Sequence, residues 1–269
     1  MRALGITCRD AHTEAMAIAR LAAQRMEDAT DAVCRVPFCV TVEAEAFGAA
    51  IKIPDDDSGP RCDGYRFSRM EQLNQLAPME LGKGRITEIL KSLTLLKEAG
   101  KMVVLNVEGP FTVLGFLIDS ATIFRGIITH RTLLEQALVI LEESLVHYIR
   151  TGIRYGADII SYADPTGALE IFGPKLYREI TGLSTYRILK QLESDTESAL
   201  VHLCGQTSRS LEKVGLCTAH PVEVSGGTTY GNNLCRFVHA KAPAFIGHNC
   251  MKSSSKVLNR PSIWQIRLT

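Results

Sequence analysis

Apolar and polar positions along the chain follow two periods. The stretches 102–110, 157–165 and 199–205 are short, almost continuously apolar and bounded by Gly, Pro or a carboxylate, which predicts buried strands. Between them, apolar residues recur at helical spacing. That pattern predicts helices over 11–26 with Asp10 as the cap, over 85–99 stopped by Gly100, over 131–155, and from Pro174 to about Leu192. Shorter helical patterns lie near 69–77 and 207–214. Residues 32–45 are rich in β-formers, with Pro37 expected at a strand end or bulge. Residues 221–225 and 244–250 add two more strand-like runs. Between 54 and 69, Asp55, Asp56 and Asp57 sit among Pro54, Ser58, Gly59 and Pro60, which predicts an exposed loop without the ligand spacing of a calcium site.

Strands alternating with amphipathic helices predict parallel βα units. One (β/α)8 TIM-type barrel of about 250 residues would occupy the whole chain, 1–269, as a single domain. Six or seven strands can be counted, so closure is inferred from the alternation. A doubly wound open sheet is the competing architecture, and no Gly-x-Gly-x-x-Gly follows the first strand to support it. Polar side chains gather where strands finish: Glu43, Glu45, Glu108, Asp164, His202, Cys204, Glu223 and Cys250. In a barrel those ends meet at one face, where the chemistry sits.

The densest candidate chemistry is a repeated spacing. Ala199-Leu-Val-His-Leu-Cys-Gly205 places His202 and Cys204 two apart on a strand, so both face one side. Ala244-Phe-Ile-Gly-His-Asn-Cys250 repeats it with His248 and Cys250. Random placement of the chain's His and Cys would give about 0.2 such pairs. An imidazole and a thiolate side by side form half of a tetrahedral zinc site. The competing reading is core cysteine beside partly buried histidine. If metal binds, both pairs together would make a closed structural His2Cys2 site; one pair plus a further ligand would leave an open, catalytic one.

Composition narrows the class. With 46% hydrophobic and 22% charged residues the chain is globular rather than disordered. A net charge of +1 argues against nucleic acid as the main partner. The first residues carry no signal-type apolar region, and no apolar run approaches membrane-spanning length, so a soluble cytoplasmic protein with its eight cysteines reduced is expected. After Glu223 there is no acidic residue, while Arg236, Lys241, Lys252, Lys256, Arg260 and Arg267 follow. This is a solvated basic face or a positive rim for an anionic substrate or acidic partner.

Four stretches resemble one family. They are Pro37-Phe-Cys-Val-Thr-Val-Glu-Ala-Glu-Ala-Phe-Gly48, Glu108-Gly-Pro-Phe-Thr112, Gly156-Ala-Asp-Ile-Ile-Ser-Tyr-Ala-Asp-Pro165 and His202-Leu-Cys-Gly205. Together they resemble the uroporphyrinogen decarboxylase superfamily, and within it the cobalamin-dependent methyltransferase branch that includes methylcobamide:coenzyme M methyltransferases. The resemblance runs from about residue 10 to 258 and implies a (β/α)8 barrel with catalytic zinc held by one His and two Cys. His202 and Cys204 map onto that ligand pair. Cys250 is the best-placed third ligand, ahead of Cys217 and Cys235, although the family's late Gly-Cys-Gly turn is absent. Glu223 fits the place of a Glu that some members bring to the metal, while Asp164 and Glu108 are expected to order the pocket, or simply to cap neighbouring helices. Against that family, the barrel is expected to be incomplete at its N-terminal strand and C-terminus.

The resemblance implies a zinc-dependent methyltransferase that moves a methyl group from a methylcobalamin (corrinoid) carried by a partner protein to a small thiol. A homodimer is compatible with it; nucleic acid and membrane are not expected as partners. Two other functions stay open: a metal-free tetrapyrrole decarboxylase, against which the missing Arg-rich N-terminal segment counts, and a non-catalytic barrel with a structural His2Cys2 zinc.

Overall fold

The computed structural model describes residues 4–55, 58–195, 199–224, 226–258 and 262–269. Asp56, Asp57 and Arg260 of the acidic loop and basic tail lie outside the described residues. The chain opens with α1 (Asp10–Thr13) and α2 (Ala15–Asp28), then β1 (Cys34–Val36), α3 (Val42–Ala46) and the small antiparallel pair β2 (Ala50–Lys52) and β3 (Arg61–Gly64). Next come α4 (Gly84–Glu98), β4 (Val103–Glu108), α5 (Pro110–Leu117), α6 (Ser120–Thr129), α7 (Arg131–Arg154) and β5 (Ile159–Ala163). The last third holds α8 (Leu169–Leu176), α9 (Gly182–Leu192), β6 (Leu200–Leu203), α10 (Gly205–Lys213), β7 (Cys217–Glu223), α11 (Tyr230–Ala240), β8 (Phe245–Gly247) and β9 (Ser262–Leu268).

Most expected elements are present, and the differences have local causes. The first helix is broken at Glu14, whose backbone is extended, so Asp10 begins α1 rather than capping a longer helix. In 32–45 only Cys34–Val36 pairs as a strand; Pro37 has no N–H for the ladder, and the following Val-Glu-Ala-Glu-Ala coils into α3, as Ala and Glu prefer. Glu43 and Glu45 are therefore helical residues, not strand ends. Part of the expected loop forms β3. Gly173, at φ 73°, breaks α8 just ahead of Pro174, so the helical path to Leu192 restarts there.

The main sheet is α/β and barrel-like, with order β1-β4-β5-β6-β8-β9-β7. The first five strands are parallel; β9 runs antiparallel to both β8 and β7. β6 pairs directly with β8, and β7, which precedes β8 in sequence, lies at the far edge. Pro221 and the half-exposed alternation of β7 suit an edge strand better than a central one.

The outer face of the arc, with Val36, Leu105, Ile160 and Leu203, packs against the surrounding helices in the main core. The inner face is layered by register. Val104, Ile159 and Leu200 are neighbours in one layer, and Asn106, Ser161, His202 and Ile246 in the next. Tyr230 and Leu234 of α11, Val33, Met251 and Ile263 fill the apolar part of this concavity. Among the described residues no ladder joins β7 to β1. Instead the segment after β8 is tied to the β1 side: Arg35 Nη1 donates to the Met251 carbonyl at 3.0 Å, and the Ser254 hydroxyl donates to Asp31.

No single helix among the described residues is long and apolar enough to cross a membrane; the bent pair α5–α6 passes only by length and composition, and α5 is mostly buried in the core. All eight cysteines are free thiols.

Because Leu234 is fully buried against the inner face, Leu234→Ala should lower unfolding free energy by about 2–5 kcal/mol, measured by urea denaturation. A loss within about 0.5 kcal/mol, the range of surface positions, would mean that α11 does not plug the arc.

Candidate functional site

A cavity of about 540 Å³ opens at the C-terminal ends of the parallel strands. Its wall takes Asn106 and Glu108 from β4, Ser161 and Ala163 from β5, His202 from β6, and Cys204 just beyond it. Cys250, Met251 and Lys252 border it from the segment after β8, and Arg25, Arg35 and Phe38 from the N-terminal side. The period of two along each strand brings these residues to one face.

His202 is fully buried, and neither ring nitrogen has a hydrogen-bond partner. Its ring meets Tyr230 edge-on at 5.9 Å. Burial pushes its pKa down to about 4, so the imidazole is neutral near neutral pH, the form that ligates metals. An unpaired buried polar atom costs about 1–3 kcal/mol, so this ring is poised for a partner entering the cavity. Cys204 occupies the N-cap position of α10 and is half-buried; Cys250 is exposed, and both line the cavity. Among the described residues, no three His, Cys, Asp or Glu side chains are gathered closely enough, as they stand, to hold a metal ion.

The second His-x-Cys pair departs from strand alternation. β8 ends at Gly247, and His248 adopts a left-handed backbone with φ 66°. Its ring points to α10, with Nδ1 3.0 Å from Ser208 Oγ and Nε2 2.9 Å from Glu212. The closed His2Cys2 set is therefore not assembled: Cys250 borders the cavity and His248 does not. The Ser208–His248–Glu212 chain is no nucleophile either, because Ser208 is fully buried and its hydroxyl bonds backbone carbonyls of its own helix turn.

The carboxylates divide by environment. Glu223 is exposed at the end of edge strand β7, and the fold does not bring it to the cavity. Asp164 is buried and caps α5, accepting from the backbone N–H of Phe111 (3.2 Å) and Thr112 (2.7 Å) and from the Thr112 hydroxyl (2.8 Å). Burial raises its pKa to about 6 against the pull of those bonds. This contact locks two sequence motifs together: a Cβ on Gly109 would lie 2.5 Å from the Asp164 side chain, so only glycine fits there. Glu108 lines the cavity with Oε2 unpartnered; burial and then the charges of Glu43 and Asp164 push its pKa up to about 9.

Glu43 is the residue that strand reading misplaced. It is fully buried, its Oε1 accepts the Glu108 backbone N–H at 3.1 Å, and its Oε2 has no partner. Burial raises it to about 7. The buried guanidinium of Arg85 is committed to Glu45, to Thr41 (Oγ1 at 2.9 Å) and to Cys39. Residues 42–46 alternate apolar and acidic like a strand, so only the helix preference of Ala and Glu pointed to α3 and to the separate place of Glu43.

The uroporphyrinogen decarboxylase (URO-D) family profile matches residues 1–253. The chain belongs to this family. Among its relatives, the methylcobamide:CoM methyltransferase MtbA of Methanosarcina mazei is 29% identical over 214 residues, covering 78% of this chain and 63% of the relative. The methylcobamide:CoM methyltransferase MtaA of Methanosarcina barkeri is 26% identical over 220 residues, covering 81% and 64%. The chain thus spans less than two thirds of the length of these curated relatives. A solved methyltransferase from Methanosarcina mazei superposes with TM-score 0.70 at 20% identity over 96% of this chain and 86% of its own, which supports the barrel-type α/β fold.

The shifted groups set a pH dependence. Glu43 and Glu108, raised from 4.5, contribute stability that is fully present below pH 4.5 and is lost as pH rises towards about 9. His202, lowered from 6.5, contributes stability above pH 6.5 that is lost as pH falls towards about 4. Above pH 6.5 the carboxyl effect is therefore the one left. Over that range stability should decline by up to about 1.4 kcal/mol per pH unit for each titrating group. Glu108→Gln should flatten the decline in urea melts; an unchanged slope would show that Glu108 ionises freely.

Proposed function

We propose that this chain acts as a zinc-dependent methyltransferase, moving a methyl group from a methylated corrinoid on a partner protein to a small thiol. The observation that carries the reading is His202: a neutral, fully buried imidazole with both nitrogens unclaimed, in the same cavity wall as Cys204 and Cys250. That donor set, one nitrogen and two sulfurs, suits zinc and leaves its fourth position for substrate. The relatives' names point the same way. His202 and Cys204 come from consecutive positions on one face of the β6 end, so the metal would be anchored there. Cys250 would have to be drawn inward with its segment to complete the set.

Bound there, zinc would supply a Lewis-acidic position that deprotonates a thiol ligand. The protein's own part is positioning. Asp164 holds α5 and the end of β4 in place, which fixes Glu108 at the cavity wall. Arg25, Arg35 and Lys252 bring positive charge to the same cavity, favouring an acceptor that carries an anionic group. Arg25 stacks over Phe38 at 4.3 Å, and Lys252 is exposed at the mouth. The free thiols suit a reducing compartment, and we place the protein in the cytoplasm. Glu223, as placed on β7, has no role in this reading.

Purified protein should contain one zinc per chain, and Cys204→Ser should lower zinc affinity at least roughly tenfold, since losing a ligand should cost no less than losing an outer-shell partner. Zinc-edge absorption should show the sulfur count rising on addition of a thiol, with a new bond near ~2.3 Å. A protein that binds no zinc, or a Cys204→Ser variant that binds it like the parent, would overturn this function.

A further inference from the structure

We propose that Glu43 and Glu108 form a proton-sharing carboxyl pair, which takes up the proton released by a thiol binding in the cavity; the thiol half rests on the methyl-transfer reading above. The pair is built by geometry. Glu43 projects from α3 and is pinned when its Oε1 accepts the Glu108 backbone N–H at 3.1 Å, so its carboxyl lies against the root of Glu108. Each residue is left with a buried Oε2 that has no partner. Glu108 lines the cavity two residues beyond Asn106, one step above the layer that contains His202. His202 lines the same cavity with both nitrogens unpartnered, which marks this space as one that receives a ligand.

Two neighbouring carboxylates, one fully buried and one half-buried, cannot both be ionised without mutual repulsion; one proton kept on the pair removes it. Nearby cations offset this only in part. The Arg85 charge reaches Glu43 and favours its ionised form, but its hydrogen bonds go to Glu45, Thr41 and Cys39, and Asp164 spends both oxygens on the N-terminus of α5. The Tyr148 hydroxyl near Glu43 is buried and stays neutral. Lys252 is the remaining cation facing Glu108, and it stands exposed at the rim. The raised affinities of both carboxyls for protons agree with this arrangement.

The step balances. The substrate S–H bond breaks, its electron pair stays on sulfur, and the proton bonds to the ionised carboxylate of the pair, which passes from singly to doubly protonated. Nothing is oxidised or reduced. The thiolate gains the negative charge that the pair loses, so the cavity keeps its net charge and avoids the cost of an extra buried anion. Glu108, being half-buried at the cavity wall, returns the proton to solvent only after the thiolate charge has been lost on methyl transfer.

Infrared difference spectroscopy on the purified protein tests both halves, with 2-mercaptoethanol as the thiol probe. Near neutral pH the parent should show a buried protonated carboxyl band that is weakened in Glu108→Gln, where only the Glu43 share is left, and retained in Glu108→Asp. Glu43→Gln should move the titration of that band to lower pH, because the neighbouring charge is gone. Adding 2-mercaptoethanol should increase the band in the parent and leave both Gln variants unchanged, with more proton released to bulk by the variants. A parent without the band overturns the pair. A thiol that binds without increasing it overturns proton uptake. A parent that shows the band but binds no thiol overturns the thiol half together with the methyl-transfer reading, and the band itself tells that result from a failed pair.

Discussion

Five parallel strands curving in one direction leave a concave apolar face, and covering that face is the constraint on which this structure depends. A closed barrel covers it with its own layered side chains. Here the arc is completed differently: α11 places Tyr230 and Leu234 against Val104, Ile159 and Leu200, and β9 contributes Ile263. The Arg35–Met251 and Asp31–Ser254 contacts draw the segment after β8 towards β1. That closure carries Cys250 to the cavity edge, so its place there depends on tertiary contacts with Asp31 and Arg35, which are far from it in sequence.

The plug stops short of the strand ends, and the space above it sets the electrostatics. His202 and Glu108 experience the same desolvation with opposite results: the imidazole loses its proton and the carboxyl keeps one. Both are therefore neutral near neutral pH, while Arg25, Arg35 and Lys252 remain at the periphery. A cavity with a neutral floor and a positive rim attracts an anion without burying a permanent charge of its own. The carboxylate most firmly fixed here, Asp164, is excluded from this balance because its oxygens are occupied by α5.

How much of this was legible in the sequence depends on how local each cause is. β4, β5 and β6 are central strands buried on both faces, so their continuous apolar runs betray them, and His202 with Cys204 follows at the end of β6. The Gly109–Asp164 contact was visible only as two motifs whose partnership is tertiary. The repeat at His248 and Cys250 was legible as spacing and misleading as geometry, since one left-handed residue cancels strand alternation. Ser208 and Glu212, which hold that residue, lie on a different element, and no pattern in 244–250 could announce them. The displacement of β7 to the sheet edge likewise removed Glu223 from the ends it was expected to join.

Glu43 shows why buried polar chemistry is harder to read than metal spacing. A His-x-Cys motif declares its donors by residue type, whereas a glutamate in a five-residue apolar helix reads equally well as a surface residue. What makes it exceptional is that Arg85 pairs with Glu45, two positions on, and leaves Glu43 facing the Glu108 backbone instead. On a helix, positions two apart point in different directions, so the same short segment sends one carboxylate to a guanidinium and the other to the backbone of Glu108. The choice between a structural ion pair and a reactive acid is thus made by helical phase, and a strand at 42–46 would have turned both glutamates to the same side.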